Sequence, residues 1–172
     1  TLNGVAVDDN DLNISITNDG GITGVSIDAN GIISVPAGTA AGTYNVVYQI
    51  CEKAYPGNCD TTAATITVNA SVIAANDDTA PADLSSVNGY VGGNAGDVTA
   101  NDTLNGTAVN DADINITIFD DDGLTSVSIA TDGTLSVPAG TAAGTYNVVY
   151  QICEKLNTSN CDTATAVVIV DA

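Results

Sequence analysis

Twenty consecutive residues, SVPAGTAAGTYNVVYQICEK, stand at positions 34–53 and again, letter for letter, at 136–155. Each copy runs on to a second cysteine eight residues after its first, Cys51 to Cys59 and Cys153 to Cys161. Identity of that length with the same cysteine spacing makes the chain a tandem repeat. Carried outwards, residues 1–70 align with residues 103–172 without a gap, and about 45 of the 70 positions are identical. Residues 71–102 have no counterpart ahead of Thr1. The expected organisation is therefore a partial unit over 1–70 and a complete unit over 71–172, the latter led by a linker at 71–82.

Each unit reads as all-β. The complete unit alternates apolar and polar residues where Ile114, Ile116 and Ile118 interleave with Asn115 and Thr117. It does so again where Tyr146, Val148, Tyr150 and Ile152 share one face. The expected strands are A (83–90), B (97–101), C (113–119), D (124–130), E (134–137), F (145–154) and G (161–170), with a turn at 91–96 and Asp132-Gly133 as a hairpin signal. Seven short strands in about 100 residues describe an immunoglobulin-like β-sandwich. The partial unit carries only C to G. Upstream residues or another covering element must complete it, because an open strand edge invites pairing.

The charge narrows the partners. The chain has 21 acidic residues, two basic ones (Lys53 and Lys155) and no histidine, a net charge of −19. Nothing in it neutralises phosphates, so nucleic acid is excluded as a partner. No apolar run is long enough to cross a bilayer as a helix, so no direct membrane insertion is expected. Without histidine neither a Ser-His-Asp nor a Cys-His arrangement can form, and the few aromatics belong mostly to strand F, so no enzyme is expected. Lys53 and Lys155 read as solvated cations balancing nearby acid.

Four cysteines in two equally spaced pairs read as two disulfides, Cys51–Cys59 and Cys153–Cys161, each closing the F–G hairpin of its unit in an oxidising compartment. Zinc is disfavoured, since the pairs lie about 100 residues apart in different units with no CxxC spacing.

Antiparallel topology brings the linker Asp77-Asp78, the B–C loop at Asn101-Asp102 and the F–G loop with Glu154 and Asp162 to one end of the sandwich. The preceding unit contributes the turn that holds Asp19. Ca²⁺ takes six to eight oxygens from such loops, so Asp77, Asp78, Asn101, Asp102 and Asp19 are the candidate ligands of junction calcium. The alternative is that these residues only stabilise turns. Asp120-Asp121-Asp122-Gly123 lacks the spacing and closing Glu of an EF-hand loop.

Several stretches carry a family resemblance: Ala75-Asn76-Asp77-Asp78, Ala100-Asn101-Asp102-Thr103-Leu104-Asn105-Gly106, Asp132-Gly133-Thr134, and the close from Gly144-Thr145-Tyr146 through Cys153-Glu154 to Asn160-Cys161-Asp162-Thr163. They resemble the tandem immunoglobulin-like or cadherin-like repeats of giant bacterial surface adhesins, including the SprB-type gliding-motility adhesins of Bacteroidetes. That resemblance implies an extracellular stalk on the bacterial outer surface, often calcium-stiffened and exported by type IX secretion. Its partners would be neighbouring repeats of the same chain and surface glycans or other cells. It also implies O-glycosylation at Asp-Thr pairs, here at Thr61, Thr79, Thr103 and Thr163. The function expected is a structural spacer. The alternatives are a glycan- or protein-binding module, or a fibre subunit completed by strands of a neighbouring chain.

Overall fold

The structure is a computed structural model that describes residue 1 and residues 4–172. The chain divides into two compact units, Thr1–Ala70 and Ser71–Ala172. No helix among the described residues is long and apolar enough to cross a membrane.

Unit 2 holds eleven strands: β6 (Ile73–Ala74), β7 (Asp78–Thr79), β8 (Val87–Asn88), β9 (Gly93–Asp97), β10 (Thr103–Leu104), β11 (Thr107–Ala108), β12 (Ile114–Asp120), β13 (Ser128–Ile129), β14 (Thr134–Val137), β15 (Gly144–Glu154) and β16 (Cys161–Asp171). One sheet runs β12-β15-β16-β7, with β8 also on β16. The other runs β13-β14-β9. This is the immunoglobulin-like sandwich, with C, F, G and a split A strand facing D, E and B.

Alternation along β15 and β16 makes the core. Val148, Tyr150 and Ile152 of β15 and Ala164, Ala166, Val168 and Val170 of β16 are all buried. They meet Leu135 and Val137 of β14, Ala95 of β9, and Leu84, Val87 and Val98. At the turn into β15 the Tyr146 hydroxyl donates to Ala142 O at 2.9 Å. This is the tyrosine corner of immunoglobulin-type sandwiches. Tyr44 makes the same bond to Ala40 O at 2.8 Å in the other copy.

The first third of unit 2 departs from the sequence reading. The expected linker at 71–82 contains β6 and β7. Strand A appears as two short bridges, β7 and β8, both parallel to β16. Strand B lies at Gly93–Asp97 rather than 97–101, inside the expected turn. The edge of β14 needs a partner, and glycine provides one: Leu135 pairs with Gly96 and Val137 with Gly93. Gly96 has φ +150°, and a Cβ there would sit 2.9 Å from Leu84 Cδ2. Residues 103–108, expected as loop, form the small β10–β11 hairpin, which also pairs with β6.

Unit 1 repeats the second half of this plan. It holds a 3-10 turn at Asp9–Asp11 and strands β1 (Leu12–Asn18), β2 (Ser26–Ile27), β3 (Ile33–Ser34), β4 (Gly42–Glu52) and β5 (Cys59–Val68). β1 pairs with β4 in the register of β12 with β15, including the bulge near the end of the strand. Its core is thinner. Leu12, Ile22 and Val46 are buried, whereas Ile33, Tyr48, Ile50, Ile66 and Val68 are only half-buried. Their counterparts in unit 2, 102 positions on, are fully buried.

That difference sets an expectation for stability. Leu135→Ala, at a position with no exposure, loses about 2–5 kcal/mol in urea unfolding. Ile33→Ala, at the equivalent position of unit 1, loses less than half as much. Equal losses would contradict the difference in burial.

Candidate functional site

The residues that carry potential chemistry gather at the end of unit 2 where the chain enters the sandwich. Ser71 Oγ donates to Glu154 Oε1 at 2.9 Å. Asn160 Nδ2 donates to Ser71 O at 2.8 Å and to Glu154 Oε2 at 3.0 Å. Ala75 N donates to Asp162 Oδ2 at 3.0 Å, and Asn76 N to Asp102 Oδ1 at 2.7 Å. The first residues of the unit are therefore fixed to its own loops by charge-assisted bonds, roughly twice as strong as neutral ones.

The expected ligands separate into two groups. Asp77 and Asn101 do structural work on the surface. Asp77 Oδ1 accepts from Thr165 N at 2.8 Å, and Asn101 Nδ2 donates to Asp77 O at 3.2 Å. Asp78 and Asp102 lie inside, with 1 % and 0 % of their surface exposed. Successive residues at a strand point opposite ways, so the Asp-Asp pair puts one carboxylate out and one in. Asp19 belongs to unit 1, in the turn after β1, where its Oδ1 accepts from Gly21 N at 2.9 Å.

Tyr150 joins the inner group, and the sequence reading assigned it only to the core. Its hydroxyl lies 2.7 Å from Val98 O, 3.1 Å from Asn76 O and 3.2 Å from both carboxylate oxygens of Asp102. One proton cannot serve four acceptors. Neither carboxylate oxygen of Asp78 has any hydrogen-bond partner. Burial pushes Asp78 up to about 7, and the charges of Asp102, Asp83 and Asp97 add to this. The Tyr150 hydroxyl draws it down in part, although no hydrogen bond of ordinary geometry joins the two. Burial likewise raises Asp102 to about 6, against the pull of the Asn76 amide and the Tyr150 hydroxyl. Burial also raises Tyr150, helped by Asp102 and Asp78, so the phenol stays protonated.

This buried cluster has more acceptors than protons, and neither lysine bonds to it. Lys155 Nζ bonds Asp111 O at 2.9 Å and Ala112 O at 2.8 Å, and Lys53 Nζ bonds Asn10 O at 2.7 Å. Both lysines thus hold backbone carbonyls. Among the described residues no group of three or more His, Cys, Asp or Glu is placed to hold a metal ion. What the pocket offers is two buried carboxylates and the carbonyls of Asn76 and Val98. These hard oxygens suit Ca²⁺ in kind, and the orphaned Asp78 needs either a cation or a proton.

The cysteines form two disulfides, Cys51–Cys59 and Cys153–Cys161, each with Cα atoms 4.1 Å apart. They join directly opposed residues of β4 and β5, and of β15 and β16. Of the Asp-Thr threonines, Thr61, Thr79 and Thr163 are exposed and Thr103 is half-buried. The Thr79 hydroxyl donates to Asp83 Oδ2 at 3.1 Å. A groove of about 350 Å³ lies beside Leu124, Pro138 and Tyr146, and its counterpart of about 250 Å³ lies beside Ile22, Pro36 and Tyr44. Neither is lined by a charged side chain.

No protein-family model matches the sequence, and no curated protein matches it. Among solved structures the chain is similar to the human desmocollin-1 ectodomain, at 13 % identity and TM-score 0.44, over 93 % of this chain and 33 % of that one. It is similar to extracellular cadherin domains 3–6 of protocadherin gamma B2, at 11 % identity and TM-score 0.44, over 96 % and 44 %. An endo-fucoidan hydrolase of glycoside hydrolase family 107 follows at 16 % identity and TM-score 0.35, over 94 % and 24 %. The chain spans less than half the length of each.

The two raised carboxyls fix the sign of a pH dependence. Below the ordinary aspartate range both are protonated whether the unit is folded or not, and they carry no penalty. As pH rises through about 6 and 7 the folded unit must ionise them in place, so their contribution to stability is lost. With chelator present, unit 2 is expected to melt at progressively lower temperature from pH 4 to pH 8. Asp78→Asn should flatten that slope. A slope unchanged in Asp78→Asn would assign it to general charge repulsion instead.

Proposed function

We propose that the chain is a pair of structural spacer repeats from an extracellular adhesin, and that each complete unit serves as a rigid, load-bearing segment. The observation that carries this reading is the pairing of two early strands of unit 2 with its last strand. β7 and β8 run parallel to β16, with Asp78 beside Ala166, Thr79 beside Val167, Val87 beside Val170 and Asn88 beside Asp171. Tension applied at the two ends of the unit loads these bonds in shear, together rather than one after another. The Ser71–Glu154 and Ala75–Asp162 bonds add to the same clamp.

The disulfide protects the other end of this path. Cys153–Cys161 keeps β15 and β16 joined at their loop, so β16 cannot peel away there. Closing so short a loop contributes about 2–3 kcal/mol on the entropy model. An oxidised pair in each unit fits an extracellular setting. The acidic, histidine-free composition favours a mechanical role over a catalytic one.

Calcium enters as part of the same reading. Asp78 and Asp102 are the residues that would hold it, with the carbonyls of Asn76 and Val98. Its charge would offset the two buried carboxylates and tighten the attachment of residues 71–78 to the unit. The bacterial outer surface, and membership of the gliding-motility adhesins, rest on the sequence resemblance alone.

Two measurements test the proposal. Single-molecule stretching of the chain from its ends should show a distinct rupture peak for unit 2. Reduction should lengthen each unit's unfolded contour by about 25 Å, the length released from the closed loop. Extension of unit 2 without a peak would sink the load-bearing role. Separately, millimolar Ca²⁺ should raise the melting temperature of the wild-type chain at pH 7.5 and leave Asp78→Asn unmoved. A shift of the same size in both would remove calcium from this pocket.

A further inference from the structure

We propose that Asn105-Gly106, at the tip of the β10–β11 hairpin, is a site of spontaneous deamidation, and that its isoaspartyl product loosens the start of unit 2. The proposal goes beyond the mechanical reading and does not depend on it. It rests on how differently the fold treats asparagine-glycine pairs of the same local chemistry.

The reaction needs no partner but water, and asparagine is among the thermally labile residues. The Gly106 main-chain nitrogen gives up its proton and attacks Cγ of Asn105. The Cγ–Nδ2 bond breaks, and that nitrogen leaves as ammonia with the proton. A five-membered imide remains. Water opens it at Cγ to give aspartate, or at the main-chain carbonyl of residue 105 to give isoaspartate, in which the chain runs through the former side chain. Glycine helps because no Cβ crowds the attacking nitrogen. In a folded chain the rate then depends on whether that nitrogen is free and whether the asparagine carbonyl is polarised.

Asn105-Gly106 meets both conditions. Asn105 and Gly106, with φ 54° and 74°, form the two-residue turn between Leu104 and Thr107. Both are exposed. Among the described residues nothing accepts from the Gly106 amide, and a Cβ at Gly106 would meet nothing within 4 Å. Asn105 Oδ1 accepts from Val72 N at 2.9 Å, which draws electron density away from Cγ. The other described pairs are restrained. Gly89 N donates to Asp171 O at 2.8 Å. The Asn88 side chain is held at both ends, by the amides of Tyr90 and Val91 at 3.1 Å and by Ala172 O at 3.2 Å. Gly31 N donates to Asp28 O at 3.0 Å. Asp28 Oδ1 also accepts from Asn30 N and Ile32 N, so a carboxylate flanks the nitrogen that would have to lose a proton. Its charge opposes that loss. In Asn3-Gly4, which holds the matching place in unit 1, Asn3 lies outside the described residues.

Residue 105 also grips Val72 by both main-chain groups, because Asn105 N donates to Val72 O at 2.7 Å. Beyond it Leu104 pairs with Ile73 and Thr103 with Ala74. Aspartate at 105 keeps a side-chain acceptor for Val72 N. Isoaspartate turns the former side-chain carbonyl into the peptide link and lengthens the main chain at the turn, so that acceptor is lost and β6 is held less firmly.

The test ages the whole chain, with its disulfides intact, at mildly alkaline pH and maps deamidation by peptide mass spectrometry. Asn105 should convert several-fold faster than Asn30 and Asn88. In urea with the disulfides reduced, the three rates should converge. Faster conversion of Asn30 or Asn88 in the folded chain, or equal rates, would overturn the site. A ranking that persists in urea would do the same, because sequence rather than fold would then set it. The isoaspartyl fraction, separated by ion exchange, should show faster hydrogen exchange at the Val72 amide, whereas Asn105→Asp should leave that amide protected. Unchanged exchange in the isoaspartyl fraction would overturn the loosening.

Discussion

The inner face of β15 governs unit 2. It is a central strand, paired along one edge with β12 and along the other with β16, so its backbone is satisfied and its side chains decide what lies above it. Val148, Tyr150 and Ile152 are wholly buried there. Two of the three ask only for apolar neighbours. Tyr150 also brings a hydroxyl into the core, and a buried hydroxyl must find a partner. The end of the sandwich meets that need with the carbonyls of Val98 and Asn76 and the carboxylate of Asp102. Polar groups drawn inward to serve one phenol then place Asp78 where water does not reach. The unusual electrostatics of this end follow from putting a tyrosine rather than an aliphatic residue at the centre of the sheet.

Half of this was legible in the sequence, and the boundary has a physical cause. Alternation reports a strand with one face buried, and β12, β14, β15 and β16 are such strands, so their patterns showed them. β7, β8 and β9 read Asp-Thr, Val-Asn and Gly-Asn-Ala-Gly-Asp, which carry little strand propensity of their own. They are extended because the free edges of β16 and β14 make them so. Gly96 looked like a turn residue, but it marks a place where the backbone passes close to Leu84. The acids show the same limit. Antiparallel topology brought Asp77, Asn101 and Asp102 to one end of unit 2, where the structure has them. It did not show that Asp77 bonds a backbone amide outside while Asp78 points inward, because that depends on residue 78 opening a strand. Tyr150 escaped notice for a related reason: an aromatic at an alternating position reads as packing, and its hydroxyl carries no signal in the pattern.

The two copies of residues 34–53 separate what a sequence fixes from what its surroundings fix. Identical residues form the same ladder, the same tyrosine corner and the same disulfide in both units. Those features depend on contacts within the stretch or just beside it. Burial differs, because it depends on residues 71–102, which unit 2 has and residues 1–70 do not match. The Glu52–Asn58 bond, at 3.1 Å, matches the Glu154–Asn160 bond of unit 2 at 3.0 Å.

The compact unit begins at Ser71. Residues 71–78 bond the loops at Asp102, Glu154 and Asp162, so they move with the sandwich rather than ahead of it. Residues 71–78 of the expected linker at 71–82 are thus bonded into the folded unit.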